Sequence, residues 1–189
     1  PVICVDEKSK QLLEQLRTPI PASPGHPVKE DCEYKRAGTR NIFMAVEPKG
    51  GCRQVEVTTR RTKGDFVQFI GHLVKKVYVR ARKIHLVLDN LNTHFRNSFE
   101  EILGVKEATQ MLERVEFHYT PKHASWLNMA EIEIGIMDRQ CTGCRIPNEQ
   151  TLRSEVAAWT DRRNQAKSTI DWKFTRQDAD QKLSRHYVS

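Results

Sequence analysis

Three carboxylates are the residues of this sequence whose types and spacing best suit chemistry. Two short apolar runs end in Asp6 and Asp89, and Glu131 follows the segment Leu127–Ala130. A continuous apolar run of about five residues is typical of a strand covered on both faces, so each aspartate is expected where such a strand reaches the sheet surface. Carboxylates grouped at one place repel one another unless a cation holds them. The pattern therefore predicts a metal site.

Each aspartate taken alone has a simpler interpretation, because short polar side chains often end a strand and begin a turn. The pair, with Glu7 beside one aspartate and Asn90 beside the other, favours metal binding. Metal binding is therefore the hypothesis, and a pair of ordinary turns is its alternative.

The bulk composition describes one globular, soluble domain. The chain has 189 residues, of which 38% are hydrophobic and 29% charged. Its longest apolar runs are far shorter than the roughly 20 residues that span a bilayer, and no leader with a cleavage site is recognisable, so neither a membrane nor secretion is expected. The formal net charge of +7 makes a polyanion such as DNA a plausible partner, because lysine and arginine neutralise phosphates and release counterions.

The cysteines argue for a reducing compartment, because there are five of them at irregular spacing, which does not suit a disulfide framework. Only Cys141 and Cys144 have the spacing of metal ligands. Cys32, His118 or His123 would have to complete such a zinc site, since one CxxC lacks the second pair that a structural zinc site needs. An incidental pair is the favoured interpretation.

The elements that must position the carboxylates follow from hydrophobic periodicity and breakers. The proline-rich stretch Thr18–Pro27 is an extended surface loop, and Pro48–Gly51 is the turn of a hairpin. Strands are predicted over Val2–Asp6, Gly38–Val46, Cys52–Arg60, Ile84–Asp89 and Val115–Tyr119, and helices over Thr62–Val77, Arg96–Arg114 with an interruption at Gly104, Ser125–Cys141 with Ser125 as N-cap, Thr151–Gln165 and Asp178–Tyr187. This order predicts an α/β fold with a mixed central sheet flanked by helices.

Four short motifs occur in order within residues 1–145. They are Val5–Ser9, Tyr34–Thr39, Leu88–His94 and Tyr119–Glu131. Together they resemble the catalytic core of the DDE transposases, in the bacterial insertion-sequence branch of the mariner-like superfamily. The resemblance implies a single ribonuclease H-like catalytic domain over residues 1–189, with the core in 1–145 and C-terminal helices in 146–189. Transposases of this kind carry helix-turn-helix modules upstream, and such a DNA-binding domain is expected to be absent here.

The resemblance also implies a function. Asp6, Asp89 and Glu131 would be both the catalytic residues and the ligands of two magnesium or manganese ions. Such a site would cut double-stranded DNA at transposon ends and join the freed 3′ hydroxyl to a target. The resemblance further implies a homodimer as the active complex, acting in the bacterial cytoplasm with the nucleoid. Hard oxygen ligands suit magnesium, which keeps several waters and completes its shell with substrate phosphates.

Two glutamates compete for the third position. Glu131 and Glu133 lie on the same predicted helix and point some 200° apart at about 100° per residue, so only one of them can face the aspartates. Helical periodicity does not choose between them. The resemblance selects Glu131, because a Leu-Asn pair precedes it by three residues, and Glu133 is expected to be an ordinary solvated residue.

Other polar and aromatic side chains are candidate DNA contacts. The histidines can equally make structural hydrogen bonds, the tryptophan can be a core anchor, and charge runs are usually solvated faces. The candidates are Lys35, Arg36, Arg60, Arg61, Lys63, His94, His123, Trp126 and Asn128.

Three other functions remain open at this point. One is a non-catalytic DNA-binding or assembly module, decayed or domesticated from a transposase. Another is a metal-dependent nuclease without strand transfer. The third is a zinc-stabilised interaction domain built on Cys141 and Cys144.

Overall fold

The computed structural model describes residues 1–122 and 124–187. Its strands are β1 (Val2–Gln15), β2 (Tyr34–Glu47), β3 (Cys52–Thr58), β4 (Ile84–Leu88) and β5 (Val115–Tyr119). They form one sheet in the order β3-β2-β1-β4-β5. β2 runs antiparallel to both β1 and β3, whereas β4 runs parallel to β1 and to β5. This mixed sheet has the ribonuclease H-like topology, which confirms the predicted fold class.

The helices lie close to their predicted positions. Gly104, with φ at +78°, separates the second helix from the third, as its place in the sequence predicts. No helix of the described residues is long and apolar enough to cross a membrane. The helices are α1 (Lys63–His72), α2 (Asn97–Leu103), α3 (Val105–Leu112), α4 (Met129–Met137), α5 (Glu149–Gln165) and α6 (Arg176–Tyr187).

Helices cover the sheet on both faces, which explains why the start of β1, Val2–Val5, is continuously apolar. Ile3 and Val5 of β1 belong to a core with residues of α1, α2 and α3. Cys4, between them, points to the opposite face, where it packs with Ala130 of α4. Residues of α4 and α5 bury the remainder of this second face, around Trp159. Alternation along β1 therefore places residue 6 on the face that α4 covers.

The first strand is much longer than predicted. The segment from Lys8 to Gln15 continues β1 and pairs with β2, and from Lys10 onward these two strands form a two-stranded ribbon. Its sequence has little apolar alternation, and in its outer half, Gln11–Gln15, only Leu12 is buried in the core. Cross-strand backbone pairing, which leaves a weak sequence signal, makes this extension. Asp6 consequently lies within a strand, not at its end as expected.

The fourth helix begins three residues later than predicted. Ser125 starts a single 3-10 turn, and the N-cap of α4 is Asn128, whose Oδ1 accepts a hydrogen bond from the Ala130 backbone N–H at 3.2 Å. The Asn128 amide also donates to the Val5 carbonyl oxygen at 2.8 Å. This second bond attaches the start of α4 to the middle of the sheet, so the cap is set by a tertiary contact.

Candidate active site

The three predicted carboxylates come from different elements that meet at one edge of the fold. Asp6 lies in β1, Asp89 directly follows β4, and Glu131 lies in the first turn of α4. The β1–β4 register pairs Cys4 with Val87, and continuing it by two residues along each chain brings Asp6 beside Asp89. The charges of both Asp89 and Glu131 act on the Asp6 carboxyl. Asp6 and Asp89 are half-buried, and Glu131 is exposed.

The Asp6 carboxyl is poorly solvated and surrounded by like charges. Burial raises its pKa from 3.8 to about 7, and the charges of Glu7, Asp89 and Glu131 add to the rise. The backbone N–H of Glu7, which donates to Asp6 at 2.8 Å, opposes it. A cation among these groups would remove the repulsion and favour the ionised form. The site is therefore electrostatically incomplete on its own.

The three acids do not surround a single ion as their side chains stand. Among the described residues, 1–122 and 124–187, only one group of three potential metal ligands has its ligand atoms within 4.8 Å of one another. Asp6, Asp89 and Glu131 are not that group. The acids thus span more than the shell of one ion. Three carboxylates are also hard oxygen donors, so the residues fit magnesium or manganese.

His94 contacts two of the acidic side chains, Asp89 and Glu7. Its side chain is fully buried, with Nδ1 2.6 Å from Asp89 Oδ1 and Nε2 2.9 Å from Glu7 Oε2. Burial alone would lower the pKa of His94, but the hydrogen bonds and charges of Asp89 and Glu7 outweigh it and raise the pKa to about 9. Both ring nitrogens are used inside the protein, which argues against the predicted DNA contact of His94. The structure shows instead the other contact considered for His94, a hydrogen bond to a carboxylate of the site.

The burial and the hydrogen bonds of Asn128 likewise argue against its predicted DNA contact. It is fully buried, and its amide oxygen and nitrogen are both engaged by the backbone, as described above. Glu131 lies three residues further along the chain, in the turn that this cap begins. Asn128 therefore sets where Glu131 stands relative to Asp6.

The basic cluster near the start of α1 is only partly at the site. Arg61 is exposed, and its Nη1 atom lies 3.4 Å from Glu7 Oε1. Its charge also contributes to the lowered pKa of Asp89, whose main cause is the hydrogen bond from His94. Lys63 pairs instead with Glu101 at 2.7 Å. Arg60 is exposed beside them.

The other predicted DNA contacts lie away from the acids or carry other contacts. Lys35 and Arg36 are exposed on the far part of the ribbon, where their partners in β1 are eight and seven residues beyond Asp6, or roughly 23–27 Å along the strand. Trp126 is 38% exposed, so it is not a core anchor, and its ring packs edge-on against Phe174 at 5.2 Å. His123 lies outside the described residues.

Glu133 is not the solvated residue that was expected. It is fully buried, and its two oxygens accept hydrogen bonds from Arg53 at 2.9 and 3.0 Å and from Arg163 at 2.8 and 3.2 Å. These arginines come from β3 and α5. No local sequence pattern predicts the contact of Glu133 with these arginines, because they lie far away in sequence.

The CxxC pair gains no further ligand in the part of the chain that the structure describes. Cys144 is exposed and donates a weak hydrogen bond to the Cys141 carbonyl at 3.6 Å, while burial raises the pKa of Cys141. His118, one of its possible partners, lies beside His85 instead, at 2.9 Å. The residues that are described favour an incidental pair.

Residues 1–153 match the sequence profile of the DDE superfamily endonucleases, and the chain therefore belongs to this family. It is also similar to two solved structures. One is the Mos1 strand transfer complex, at 11% identity and a TM-score of 0.47, covering 85% of this chain and 47% of that chain. The other is the catalytic domain of Mos1 mariner transposase, at 8% identity and a TM-score of 0.43, covering 88% of this chain and 80% of that one.

The chain thus spans about half the length of the transposase in the strand transfer complex. No protein with a curated description matches it.

Proposed function

We propose that this chain is the catalytic domain of a cut-and-paste transposase that cleaves and joins double-stranded DNA with two magnesium or manganese ions. The observation that carries the proposal is the meeting of Asp6, Asp89 and Glu131 at the carboxyl end of β4, in a member of the DDE endonuclease family. Transposon ends and target DNA are then its partners, a homodimer is its active assembly, and the bacterial nucleoid is its place of action.

Asp6, Asp89 and Glu131 are the residues that would hold the ions. When bound there, such ions would supply activation of the attacking oxygen and stabilisation of the leaving oxygen. The protein's own contribution is position. His94, protonated at neutral pH, donates to Asp89 Oδ1, so the other oxygen of Asp89 stays available to an ion. Asn128 holds the helix that carries Glu131 against β1.

The surface charge supports a DNA substrate. The chain carries 31 lysines and arginines against 24 aspartates and glutamates. Arg61, whose side chain is 45% exposed, stands next to the acidic group and is the predicted contact best placed to meet a phosphate. Binding through such contacts weakens steeply with salt, because each neutralised phosphate releases counterions.

The test is metal-dependent nicking of a supercoiled plasmid, together with joining of a short 3′-hydroxyl duplex to that plasmid. Wild type is compared with Asp89→Asn and with the matched control Asp171→Asn, which alters an exposed carboxylate that faces Lys173 at 3.7 Å. We expect wild type and the control to nick and join DNA in manganese. Asp89→Asn should do neither, while keeping its circular dichroism spectrum and its salt-sensitive DNA binding.

Each other outcome identifies a rival. Cleavage by Asp89→Asn at the wild-type rate would overturn the assignment of the acids as metal ligands. Cutting without joined products would indicate a nuclease that shares the fold. DNA binding by wild type with no metal-dependent nicking would indicate a non-catalytic binding or assembly module.

A further inference from the structure

A second group of ligand-type side chains lies on the outer part of the sheet. His85 of β4 is paired in register with Glu116 of β5, and His118 is two residues further along β5 on the same face. One ligand atom from each lies within 4.8 Å of the other two. Rigid paired strands hold all three, so their proximity follows from the register itself.

The separations of the ligand atoms match those around a tetrahedral ion. His85 Nδ1 lies 2.9 Å from His118 Nε2, and the nearest Glu116 oxygens lie 3.9 Å from His85 Nδ1 and 3.6 Å from His118 Nε2. Ligands held at about 2.05 Å by a tetrahedral zinc ion lie about 3.3 Å from one another. The three distances bracket this value, so small side-chain rotations would accommodate an ion.

The protonation states also suit a metal. Two ring nitrogens 2.9 Å apart cannot both carry a hydrogen between them, so at least one presents a lone pair. Glu116 forms an ion pair with Lys83 at 2.6 Å, which is the contact of an ionised carboxylate. Neutral imidazole and ionised carboxylate are the forms that bind metals.

The donor types select the class of metal. Two imidazoles and one carboxylate suit zinc and neighbouring transition metals, whereas magnesium and calcium prefer oxygen alone. Three protein ligands leave a fourth position open, and it is accessible because His118 is exposed and the other two are half-exposed. A water or a group from a binding partner can take that position.

We propose that His85, Glu116 and His118 bind one transition-metal ion of the zinc class, which ties the edge strand β5 to β4. The site is separate from the acidic group, since His85 precedes Asp89 by four residues, or about 13 Å along the strand. It does not depend on the proposed function. The alternative is a surface hydrogen-bond cluster completed by Lys83.

The test uses cobalt(II) as a spectroscopic substitute for zinc, on protein without a polyhistidine tag. Visible absorption of bound cobalt is titrated in wild type, His85→Ala and His118→Ala, with zinc competition to measure zinc affinity. His72→Ala is the matched control, because it removes an exposed histidine from the end of α1. Asp89→Asn tests whether the ion belongs to the acidic group instead.

We expect one tightly bound cobalt ion, displaced by zinc, in wild type, His72→Ala and Asp89→Asn. His85→Ala and His118→Ala should each bind more than about tenfold more weakly, with circular dichroism showing an intact fold. Zinc should raise the melting temperature of wild type and not that of His118→Ala, since only the former binds it.

Two further variants sharpen the result. Lys83→Ala should bind cobalt more tightly, because its ammonium group competes for Glu116. Cys144→Ser should bind as wild type does. Absence of cobalt absorption, its survival in His118→Ala, or its loss in Asp89→Asn or Cys144→Ser would each overturn the proposal.

Discussion

Two glutamates on the same helix have opposite surroundings. Glu133 is fully buried between Arg53 and Arg163, and it accepts four hydrogen bonds from them. Glu131, two residues earlier, is exposed, has no ion-pair partner in the described part of the chain, and acts as a like charge on Asp6. One helix therefore carries a fully compensated carboxylate and an uncompensated one.

The difference separates a structural acid from a candidate catalytic acid. Burying the Glu133 carboxylate costs desolvation free energy, but two arginines neutralise its charge and satisfy its oxygens. The contact joins β3 and α5 to α4 and requires no bound cation. A carboxylate directed at other carboxylates is unsatisfied until a cation arrives. Arginine side chains of the folded chain thus neutralise Glu133, whereas the negative charges around Asp6 remain in excess.

The comparison predicts that Glu131→Gln abolishes metal-dependent nicking and leaves stability unchanged. Loss of one ligand charge removes several kcal/mol of transition-state stabilisation, which is on the order of a thousandfold in rate. Plasmid nicking and urea unfolding measure the two quantities. Nicking near the wild-type rate would remove Glu131 from the site.

Glu133→Gln should have the reverse profile. It leaves the charge of Arg53 buried without its partner, and we expect a loss of about 3–5 kcal/mol in the free energy of unfolding by urea. The nicking rate per folded molecule should stay near that of wild type. Glu149→Gln is the control, because Glu149 also faces two arginines, Arg40 and Arg153, at the surface, where the expected loss is below about 1 kcal/mol. Equal losses in both variants would contradict the structural role of Glu133.

Asn128→Ala tests the link between the two glutamates and the sheet. Loss of the helix cap and of the hydrogen bond to Val5 should together cost about 2 kcal/mol of stability. Nicking should fall as well, because Glu131 loses its position. Asn148→Ala, which removes only the cap of α5, should cost about 1 kcal/mol and leave nicking unchanged. Identical nicking by the two variants would argue against a positioning role.

The two acid environments should respond to pH with opposite sign. The pKa of Glu133 is lowered below 4.5, because the arginine hydrogen bonds and charges outweigh burial, which opposes them. Its stabilisation is therefore present above pH 4.5 and is lost as the pH falls through the folded pKa. Urea unfolding should show the gap between wild type and Glu133→Gln closing in acid.

Asp6 gives the opposite case. Because its pKa is raised from 3.8 to about 7, its contribution is full below 3.8 and is lost as the pH rises through 7. Asp6→Asn should therefore gain stability over wild type as the pH rises over that range. A gap that narrows instead would refute the crowding of charges at Asp6.

The smallest expected effect is stabilisation by manganese. At ten times its dissociation constant, an ion that binds only the folded state adds about 1.4 kcal/mol. We expect this gain in a His118→Ala background, which silences the His85 cluster, and its reduction when Glu131→Gln is added. Thermal melting with and without manganese measures it. An equal gain in both proteins would place the bound ion elsewhere.

Much of the fold follows from local sequence. The apolar runs before Asp6 and Asp89, the Gly104 break and the Pro48–Gly51 turn all occur where they were predicted. These signals are strong because burial on both faces, a positive φ and a tight turn each restrict residue type locally. The polar half of β1 was missed, since its pairing with β2 requires no particular side chains.

The sequence by itself determined most of the elements and the family, and it selected the three acids as candidates. Only the tertiary structure decided what each acid faces. It placed His94 between Asp89 and Glu7, and it joined Glu133 to Arg53, which is 80 positions away. The physical reason is that helical and strand periodicity encode the direction of a side chain, whereas its partner is set by strand register and helix packing over the whole chain.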